Sequence, residues 1–385
     1  MKYLYGARVQ GIQRFIFQTN KLKEIAGASQ LVDAICEEEF RSFCLSKGHT
    51  VASDRMLQCA AGNIRYLATE EEAKDIVFYF PQRISQYAPG ITINQALVPL
   101  LGDLSQELSL LEDQLEIQRN RIALPFDQGL MGIARARRTG GLAYRFNKDR
   151  KFIDRGTHSK VEEQASDQLR LFKKFKPDIN SSKNIPFDLQ HICPKQDQPW
   201  LAILHADGNS LSRLVRSLSR KVPVAQRPEA FRIFSRQLDA ATRAAAVVAF
   251  EQIVEPAWQE MHKNNPQAKY PFRPVVLGGD DLTVIIRADL AFDFCRIFLA
   301  AFEQQTAVHF EFLNKYKVRG FQNGLTACAG ISYIKYSYPF HYAIELAEAL
   351  TKEAKDFSKA LPHKSNREEL PPSSLSFYKV QSSYT

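Results

Sequence analysis

A Gly-Gly-Asp-Asp break between two apolar, β-branched-rich runs limits how this chain can fold more than any other pattern. The runs cover residues 274–277 and 282–286, and the break is Gly278, Gly279, Asp280 and Asp281. Such a pattern predicts a buried β-hairpin with two carboxylates at its tip. Glycines let the backbone turn and let a ligand approach closely, and carboxylates supply the hard oxygen ligands that Mg²⁺ prefers. The hairpin is therefore predicted to hold a metal-bound phosphate, although Gly and Asp are also ordinary turn residues.

A second carboxylate, Asp207, ends a predicted buried strand that starts at Trp200 and leads through Gly208, Asn209 and Ser210 into a helix. An acid at a strand end beside a hairpin acid is the arrangement that holds two divalent ions about 4 Å apart for phosphoryl transfer. Two Mg²⁺ or Mn²⁺ ions are therefore expected on Asp207, Asp280 and Asp281. The backbone amides of residues 208–210 at the helix start suit a triphosphate, and Gly278 and Gly279 leave room for a ribose.

Three motifs together resemble the palm-domain large subunit of type III CRISPR complexes. They are Asp207-Gly-Asn, the Gly-Gly-Asp-Asp hairpin and the amino-terminal Gly11-Ile12-Gln13-Arg14-Phe15-Ile16. The resemblance covers most of the chain, with gaps in the middle. It implies an α+β fold of ferredoxin-like palm domains, similar to diguanylate and adenylate cyclases, and the synthesis of cyclic oligoadenylates from ATP.

The last predicted helix covers residues 342–357 and contains the pair Ala354-Lys355 near its end. The pair resembles the one from which cyclase palms place a lysine on the nucleotide phosphates. The resemblance assigns that role to Lys355, with Lys352 one turn earlier on the same face. The alternative is a lysine that is only favoured near a helix carboxyl end by the helix dipole.

An earlier stretch, residues 57–67, has the same hairpin pattern, and its residues 60–63 stand where 278–281 stand in the later one. A helix over 70–86 and a strand over 90–98 follow in the same order as after residue 287. The chain is therefore predicted to contain an internal duplication whose first copy is degenerate. Arg8 stands where many members of the resembled family carry an acid. The first palm is expected to bind a second nucleotide or to form one wall of the active site. The alternative is that it has only a structural role.

Three domains are predicted: a degenerate palm over 1–125, a basic connecting region over 126–199, and a catalytic palm over 200–385. Within the connecting region, residues 135–155 combine arginines and lysines with aromatic residues, which suits phosphate contacts and base stacking by an RNA or nucleotide activator. A solvated basic face is the alternative. The six cysteines are far apart without a Cys-x-x-Cys pair, so the zinc cluster that family members often carry there is not expected.

Composition sets the class of protein. A hydrophobic fraction of 45% with 26 Phe supports sizeable cores and excludes a disordered chain. The formal charge of +9 favours anionic partners. The first residues lack a signal-peptide core and no stretch is long and apolar enough for a membrane span, so a cytoplasmic protein without membrane partners is expected. The chain begins at the first palm and contains no His-Asp dipeptide, which predicts a stand-alone form without the family's nuclease domain.

The function expected from these features is a nucleotidyltransferase that converts ATP into a cyclic di- or oligonucleotide signal in antiviral defence. Two alternatives remain open: a non-catalytic, RNA-binding subunit of a CRISPR-like ribonucleoprotein, and a diguanylate-type enzyme that uses GTP. Palm cyclases work across paired palms, so either a monomer with two palms or a homo-oligomer is expected.

Overall fold

The computed structural model describes residues 2–60, 62–102, 104–121, 132–166, 169–193, 200–316, 324–361 and 370–381. The chain divides into two compact units, the first made of residues 1–19 and 23–167 and the second of residues 20–22 and 168–385. Each unit contains a largely antiparallel sheet and several helices, which is the predicted α+β class. Within the described ranges, no helix is both long and apolar enough to cross a membrane.

The first unit is built on a four-stranded antiparallel sheet with the order β2-β3-β1-β4. Its elements are β1 (Lys2–Gln10), α1 (Ile12–Ile16), α2 (Leu22–Ala34), a π-helical turn (Ile35–Glu39), α3 (Phe40–Ser46), β2 (Met56–Ala60), β3 (Asn63–Thr69), α4 (Glu70–Tyr87), β4 (Thr92–Pro99), α5 (Leu104–Arg119), β5 (Arg145–Phe146), β6 (Phe152–Ile153) and α6 (Arg155–Ser166). A capping box between Thr69 and Glu72 starts α4 directly after β3, because it satisfies two amides at the helix start.

The second unit is built on a five-stranded sheet with the order β11-β10-β7-β9-β8. Its elements are α7 (Arg170–Lys173), a 3₁₀ turn (Ser182–Asn184), α8 (Leu189–Ile192), β7 (Trp200–Gly208), α9 (Leu211–Lys221), a 3₁₀ turn (Val224–Gln226), α10 (Arg227–Ala249), a π-helical turn (Phe250–Val254), α11 (Glu255–Asn264), β8 (Phe272–Gly278), β9 (Asp281–Arg287), α12 (Ala288–His309), a 3₁₀ helix (Glu311–Tyr316), β10 (Ala327–Lys335), α13 (Phe340–Ala360) and β11 (Ser374–Lys379). The last strand, β11, pairs in parallel with β10 at the sheet edge.

The two units repeat one topology, as the predicted duplication requires. The order β8-β9-β7-β10 matches β2-β3-β1-β4, and in each hairpin the last residue of one strand pairs with the first of the next: Ala60 with Asn63, and Gly278 with Asp281. In the first unit Arg8 pairs with Asn63. The corresponding register, continued one residue past the pair Ala206 and Leu282, sets Asp207 beside Asp281. Arg8 and Asn63 therefore take the places of two predicted metal ligands.

Helices cover both faces of the second sheet. Alternate β7 residues, Ala202, Leu204 and Ala206, belong to the core that includes α10 and α12, while α13 lies on the opposite face. Gly330 of β10 lets α13 approach closely, since a Cβ there would lie 2.1 Å from the carbonyl oxygen of Ala347. This close approach sets the position of every side chain that α13 directs toward β7.

The stretch predicted as a connecting region divides between the two units. Residues 132–166 belong to the first unit and residues 169–193 to the second. Helix α6 packs tightly in the first unit, because a Cβ on Gly27 would lie 1.7 Å from the Lys160 carbonyl oxygen, and Lys160 Nζ donates to the Phe15 carbonyl at 2.7 Å. The predicted boundary at residues 125–126 lies outside the described residues.

Candidate active site

The second sheet brings the three predicted carboxylates together. Asp207 lies at the end of β7, and Asp280 and Asp281 lie at the turn between β8 and β9. One oxygen of each carboxylate lies within 4.8 Å of an oxygen of the other two. Pairing of β7 with β9 sets this proximity, and the left-handed backbone of Gly279, with φ of 62°, makes the tight turn that a side chain would strain.

The three acids differ in their protonation. Burial raises the pKa of Asp280 well above its ordinary value, with the charges of Asp281 and Asp207 adding to the shift. Burial and the Asp207 charge raise the pKa of Asp281 to about 8. Burial opposes ionisation of Asp207 too, but a hydrogen bond from Asp280 and the Lys355 charge outweigh it and lower its pKa. Burial and mutual repulsion thus disfavour ionisation of all three carboxylates beside a single lysine, and a divalent cation would favour it, so a metal ion fits the cluster.

Lys355 of α13 reaches this cluster. Its Nζ forms an ion pair with Asp207 Oδ2 and donates to the Gly208 carbonyl at 3.1 Å. Lys352, predicted to share its role, is exposed one turn earlier. Lys355 therefore contacts the end of the strand that carries Asp207, whereas Lys352 forms no hydrogen bond or ion pair with a residue that the structure describes.

The loop after β7 is held by packing and by hydrogen bonds to Thr326, the residue before β10. Gly208 is buried, and a Cβ there would lie 3.1 Å from both Cβ and Oδ2 of Asp280, so a side chain at this position would crowd that carboxylate. Asn209 donates its backbone N–H to the Thr326 carbonyl at 2.8 Å and its side-chain amide to Thr326 Oγ1 at 3.1 Å. In this conformation the Asn209 N–H is not available to a phosphate. Ser210, with φ of 59°, turns the chain into α9.

Helix α10 supports the Gly-Gly-Asp-Asp turn through two residues that sequence reasoning missed. Thr242 Oγ1 donates to the Gly279 carbonyl at 2.6 Å, and the Gly279 N–H donates to Asp239 Oδ1 at 3.3 Å. The available signal was a pair of polar residues three positions apart in an otherwise alanine-rich helix, since residues at that spacing share a face.

A polar layer lies beneath the carboxylates on the α13 face. His205, two residues before Asp207, makes a hydrogen bond of 3.0 Å between its Nδ1 and Thr283 Oγ1, and Thr351 Oγ1 donates to the His205 carbonyl at 3.1 Å. Burial lowers the pKa of His205 to about 4, although the Asp207 charge opposes that shift. His205 is therefore neutral near pH 7. Glu348 of α13 adds negative charge that contributes to the raised pKa of Asp281.

The position in the first unit that corresponds to Asp207 carries the opposite charge. Arg8 donates through Nε to Asn63 Oδ1 at 3.0 Å and through its NH2 nitrogen to Glu112 Oε2 at 2.8 Å, where Glu112 belongs to α5. Glu112 also pairs with Arg65, whose guanidinium is buried. In the second unit, Lys355 of α13 pairs with Asp207 at the end of β7. In the first unit the charges are reversed, since Glu112 of α5 pairs with Arg8 near the end of β1. Of the residues that the structure describes, only Asp207, Asp280 and Asp281 form a group suited to a metal ion.

Comparison with known protein families gives a match within the second unit. Residues 200–361 match the family described as Cas10/Cmr2, second palm domain. None of the curated proteins matches this chain.

Solved structures show the same fold over nearly the whole chain. One chain of a Csm1–Csm4 cassette in complex with cA4 has a TM-score of 0.57 and 14% identity, covering 92% of this chain and 53% of that chain. Chains of such cassettes in complex with pppApA and with AMPPNP have TM-scores of 0.56 and 0.55 and identities of 13% and 15%, with the same coverage. The present chain thus spans about half the length of the solved chains that it matches, and at these identities the likeness establishes the fold alone.

Proposed function

Residues 200–361 belong to the second palm domain family of Cas10/Cmr2, and from that premise we propose that this chain is a cytoplasmic, metal-dependent nucleotidyltransferase. It joins ATP into a cyclic di- or oligonucleotide, releases pyrophosphate, and acts in antiviral defence. The observation that carries the proposal is the cluster of Asp207, Asp280 and Asp281 with Lys355 at its edge. Crystals of similar chains in complex with AMPPNP, pppApA and cA4 support an adenine nucleotide as substrate.

The carboxylate cluster fits divalent metal ions. Its oxygens lie close enough to share an ion, and two of its acids have raised pKa values because burial and mutual repulsion disfavour their charge. Asp207, Asp280 and Asp281 would hold Mg²⁺ or Mn²⁺, whose chemistry is to activate a ribose hydroxyl and to neutralise charge on the α-phosphate and the leaving pyrophosphate.

Residues of the chain position the substrates. Phosphoryl transfer needs mainly alignment and electrostatic stabilisation, so no protein nucleophile is required. Lys355 brings a positive charge beside Asp207, where it would bind phosphate oxygens. Gly278 and Gly279 carry no side chain, so the turn leaves space for a ribose. Asp239 and Thr242 fix that turn through the backbone of Gly279, which keeps Asp280 and Asp281 in place.

The proposal is tested by incubating the purified chain with radiolabelled ATP or GTP and Mn²⁺ or Mg²⁺, then resolving products by chromatography and mass spectrometry. Wild type is compared with Asp280→Asn and with Asp293→Asn, which changes an exposed aspartate of α12 paired with Arg296. We expect cyclic product from wild type and from Asp293→Asn, with ATP as the preferred nucleotide, and none from Asp280→Asn.

Equal product from Asp280→Asn would overturn the metal assignment. Product from GTP in preference to ATP would make the chain a diguanylate-type enzyme. Absence of any product from wild type, together with RNA that copurifies with the chain, would favour the non-catalytic RNA-binding subunit.

A further inference from the structure

A two-stranded hairpin of the first unit exposes three aromatic side chains. Tyr144, Phe146 and Phe152 on or beside β5 and β6 are 53%, 59% and 41% exposed. Scattered exposed apolar residues need no explanation, but neighbouring large ones mark an interaction surface. We call these three residues the aromatic face.

The aromatic face is one ordered surface. Phe146 pairs directly with Phe152 across the strands, and their rings stack with centroids 4.3 Å apart. Tyr144 lies two residues before Phe146, so its side chain is on the same side of the strand. Asn147 orders the hairpin tip, because its Oδ1 accepts the N–H groups of Asp149 at 3.0 Å and of Lys151 at 2.9 Å. The rings are thus presented by a backbone that is already ordered.

Exposed cations surround the aromatic face. They are Arg145, Lys148, Arg150, Lys151 and Arg155. A carboxylate oxygen of Glu162 lies 3.0 Å from His158 Nε2 and 3.9 Å from a guanidinium nitrogen of Arg145. Lys148, Arg150 and Lys151 have no ion pair with any residue that the structure describes, so their charges are available to phosphates.

A cavity of about 360 Å³ opens beside the aromatic face. Tyr144 is one of its walls, together with Tyr87, Arg155, His158 and Glu162. The rings of Tyr144 and His158 are 5.2 Å apart. Aromatic rings, an arginine and a carboxylate in one cavity of this size can stack on a planar heterocycle and make hydrogen bonds to its edge.

We propose that the aromatic face and this cavity form a binding site for single-stranded nucleic acid. Bases stack on Phe146 and Phe152, one base enters the cavity against Tyr144, and the cations of the hairpin contact the backbone phosphates. Stacked rings interleaved with cations are the features by which proteins bind single strands, whereas a duplex keeps its bases inside. The charge of the surface favours this polyanion over an apolar protein partner. This site is independent of the carboxylate cluster and of the proposed synthase.

Fluorescence anisotropy of the full chain with labelled oligonucleotides of about 15 nucleotides tests the site, since such a length covers a single-strand binding groove. The probes are oligo(rA), oligo(rU) and oligo(dT), each also in an abasic form of equal charge. The double variant Phe146→Ala/Phe152→Ala should weaken binding by about tenfold or more, in line with the loss of two stacked bases. Phe78→Ala is the matched control, because Phe78 is a 77% exposed phenylalanine of α4 in the same unit.

Three further variants separate base stacking from folding, from charge and from the proposed catalysis. Phe146→Tyr/Phe152→Tyr keeps the rings and should bind as wild type does, which separates stacking from a folding defect. Lys148→Gln/Lys151→Gln should reduce the slope of affinity against salt concentration. Asp280→Asn should bind normally, so failure of the synthase and failure of this site are distinguishable.

Preference among the RNA and DNA probes identifies the natural strand. Equal affinity for abasic probes, or wild-type binding by the double alanine variant, would overturn the site. Dimerisation abolished by the double alanine variant, without oligonucleotide binding by wild type, would instead show that the face joins two copies of this chain.

Discussion

The hydroxyl of Thr242 donates a hydrogen bond of 2.6 Å to the carbonyl of Gly279, and this bond connects α10 to the turn between β8 and β9. Thr242 is fully buried, and its Oγ1 also lies 2.9 Å from the Leu238 carbonyl oxygen of its own helix, so the one hydroxyl proton is shared between the two carbonyls. Gly279 has a left-handed backbone, and α10 holds it on both sides, since Asp239 also accepts its N–H. The metal-ligand geometry is thus set partly by a helix that contributes no ligand.

Thr242→Val should lower catalysis more than its loss of stability explains. The substitution keeps the shape but leaves the Gly279 carbonyl unpaired, at a cost of about 1–3 kcal/mol, and loosens the turn. Misplaced ligands lower kcat, so we expect a fall in kcat of about tenfold with little change in KM. Thr306→Val is the control, because Thr306 is also buried and donates to the Phe302 carbonyl at 2.6 Å in α12. A similar kcat for both variants would contradict the positioning role.

Lys355→Gln should impair the reaction far more than Lys352→Gln. Lys355 contacts Asp207 and the Gly208 carbonyl, whereas Lys352 is exposed one turn away. Loss of a charged contact to a phosphate weakens both ground-state and transition-state binding, so KM for ATP should rise and kcat should fall. Steady-state kinetics of the two variants, at matched nucleotide and metal concentrations, measure the difference. Equal effects would show that both lysines act only through the overall charge of α13.

Stabilisation by Mn²⁺ should grow with pH. The pKa of Asp281 is raised from its ordinary value of 3.8 to about 8, so the folded chain binds more protons than the unfolded chain between those values. Without metal, the free energy of unfolding therefore falls as pH rises through this window. A metal ion binds the carboxylate form, so the increase in Tm on adding Mn²⁺ should be small near pH 5 and larger near pH 8.

Asp281→Asn is the control for this pH dependence. It removes one of the two acids with a raised pKa and one ligand, so both the pH effect and most of the Mn²⁺ effect on Tm should decrease. An increase in Tm that is independent of pH, or one that persists in this variant, would place the ion elsewhere.

The order of strands and helices was predictable because local patterns determine it. The hairpins at residues 57–67 and 274–286, the strand from Trp200 and the helices that follow Thr69 and Arg287 all agree with the expected elements. The internal duplication was predictable as well, because both hairpins lie at the same place in the element order. The convergence of Asp207 with Asp280 and Asp281 followed from strand ends that meet at one sheet edge.

Support for the site was not predictable, because it depends on contacts between residues far apart in sequence. Thr242 lies 37 residues before Gly279. The spacing of Asp239 and Thr242 puts them on one face of α10, but it does not identify the turn as their partner. The hydrogen bonds of Asn209 to Thr326, 117 residues away, likewise appear only once β7 and β10 pair. The reversed polarity at Arg8 was visible as a missing acid, but its pairing with Glu112 required the position of α5.

Gly330→Ala should both destabilise the second unit and lower activity, because the added Cβ has no space. It would lie 2.1 Å from the Ala347 carbonyl oxygen and 2.6 Å from the Thr351 nitrogen, which are backbone atoms of α13. The helix must move outward, at a cost of about 1–3 kcal/mol or more, and it would take Lys355 away from Asp207. Gly6→Ala is the matched control in the first unit, since its Cβ would lie 2.6 Å from Leu111 Cδ2, the end of a flexible side chain of α5. Urea unfolding and product assays should show the larger losses for Gly330→Ala. If Gly330→Ala keeps full activity despite reduced stability, Lys355 does not need the observed position of α13 to act.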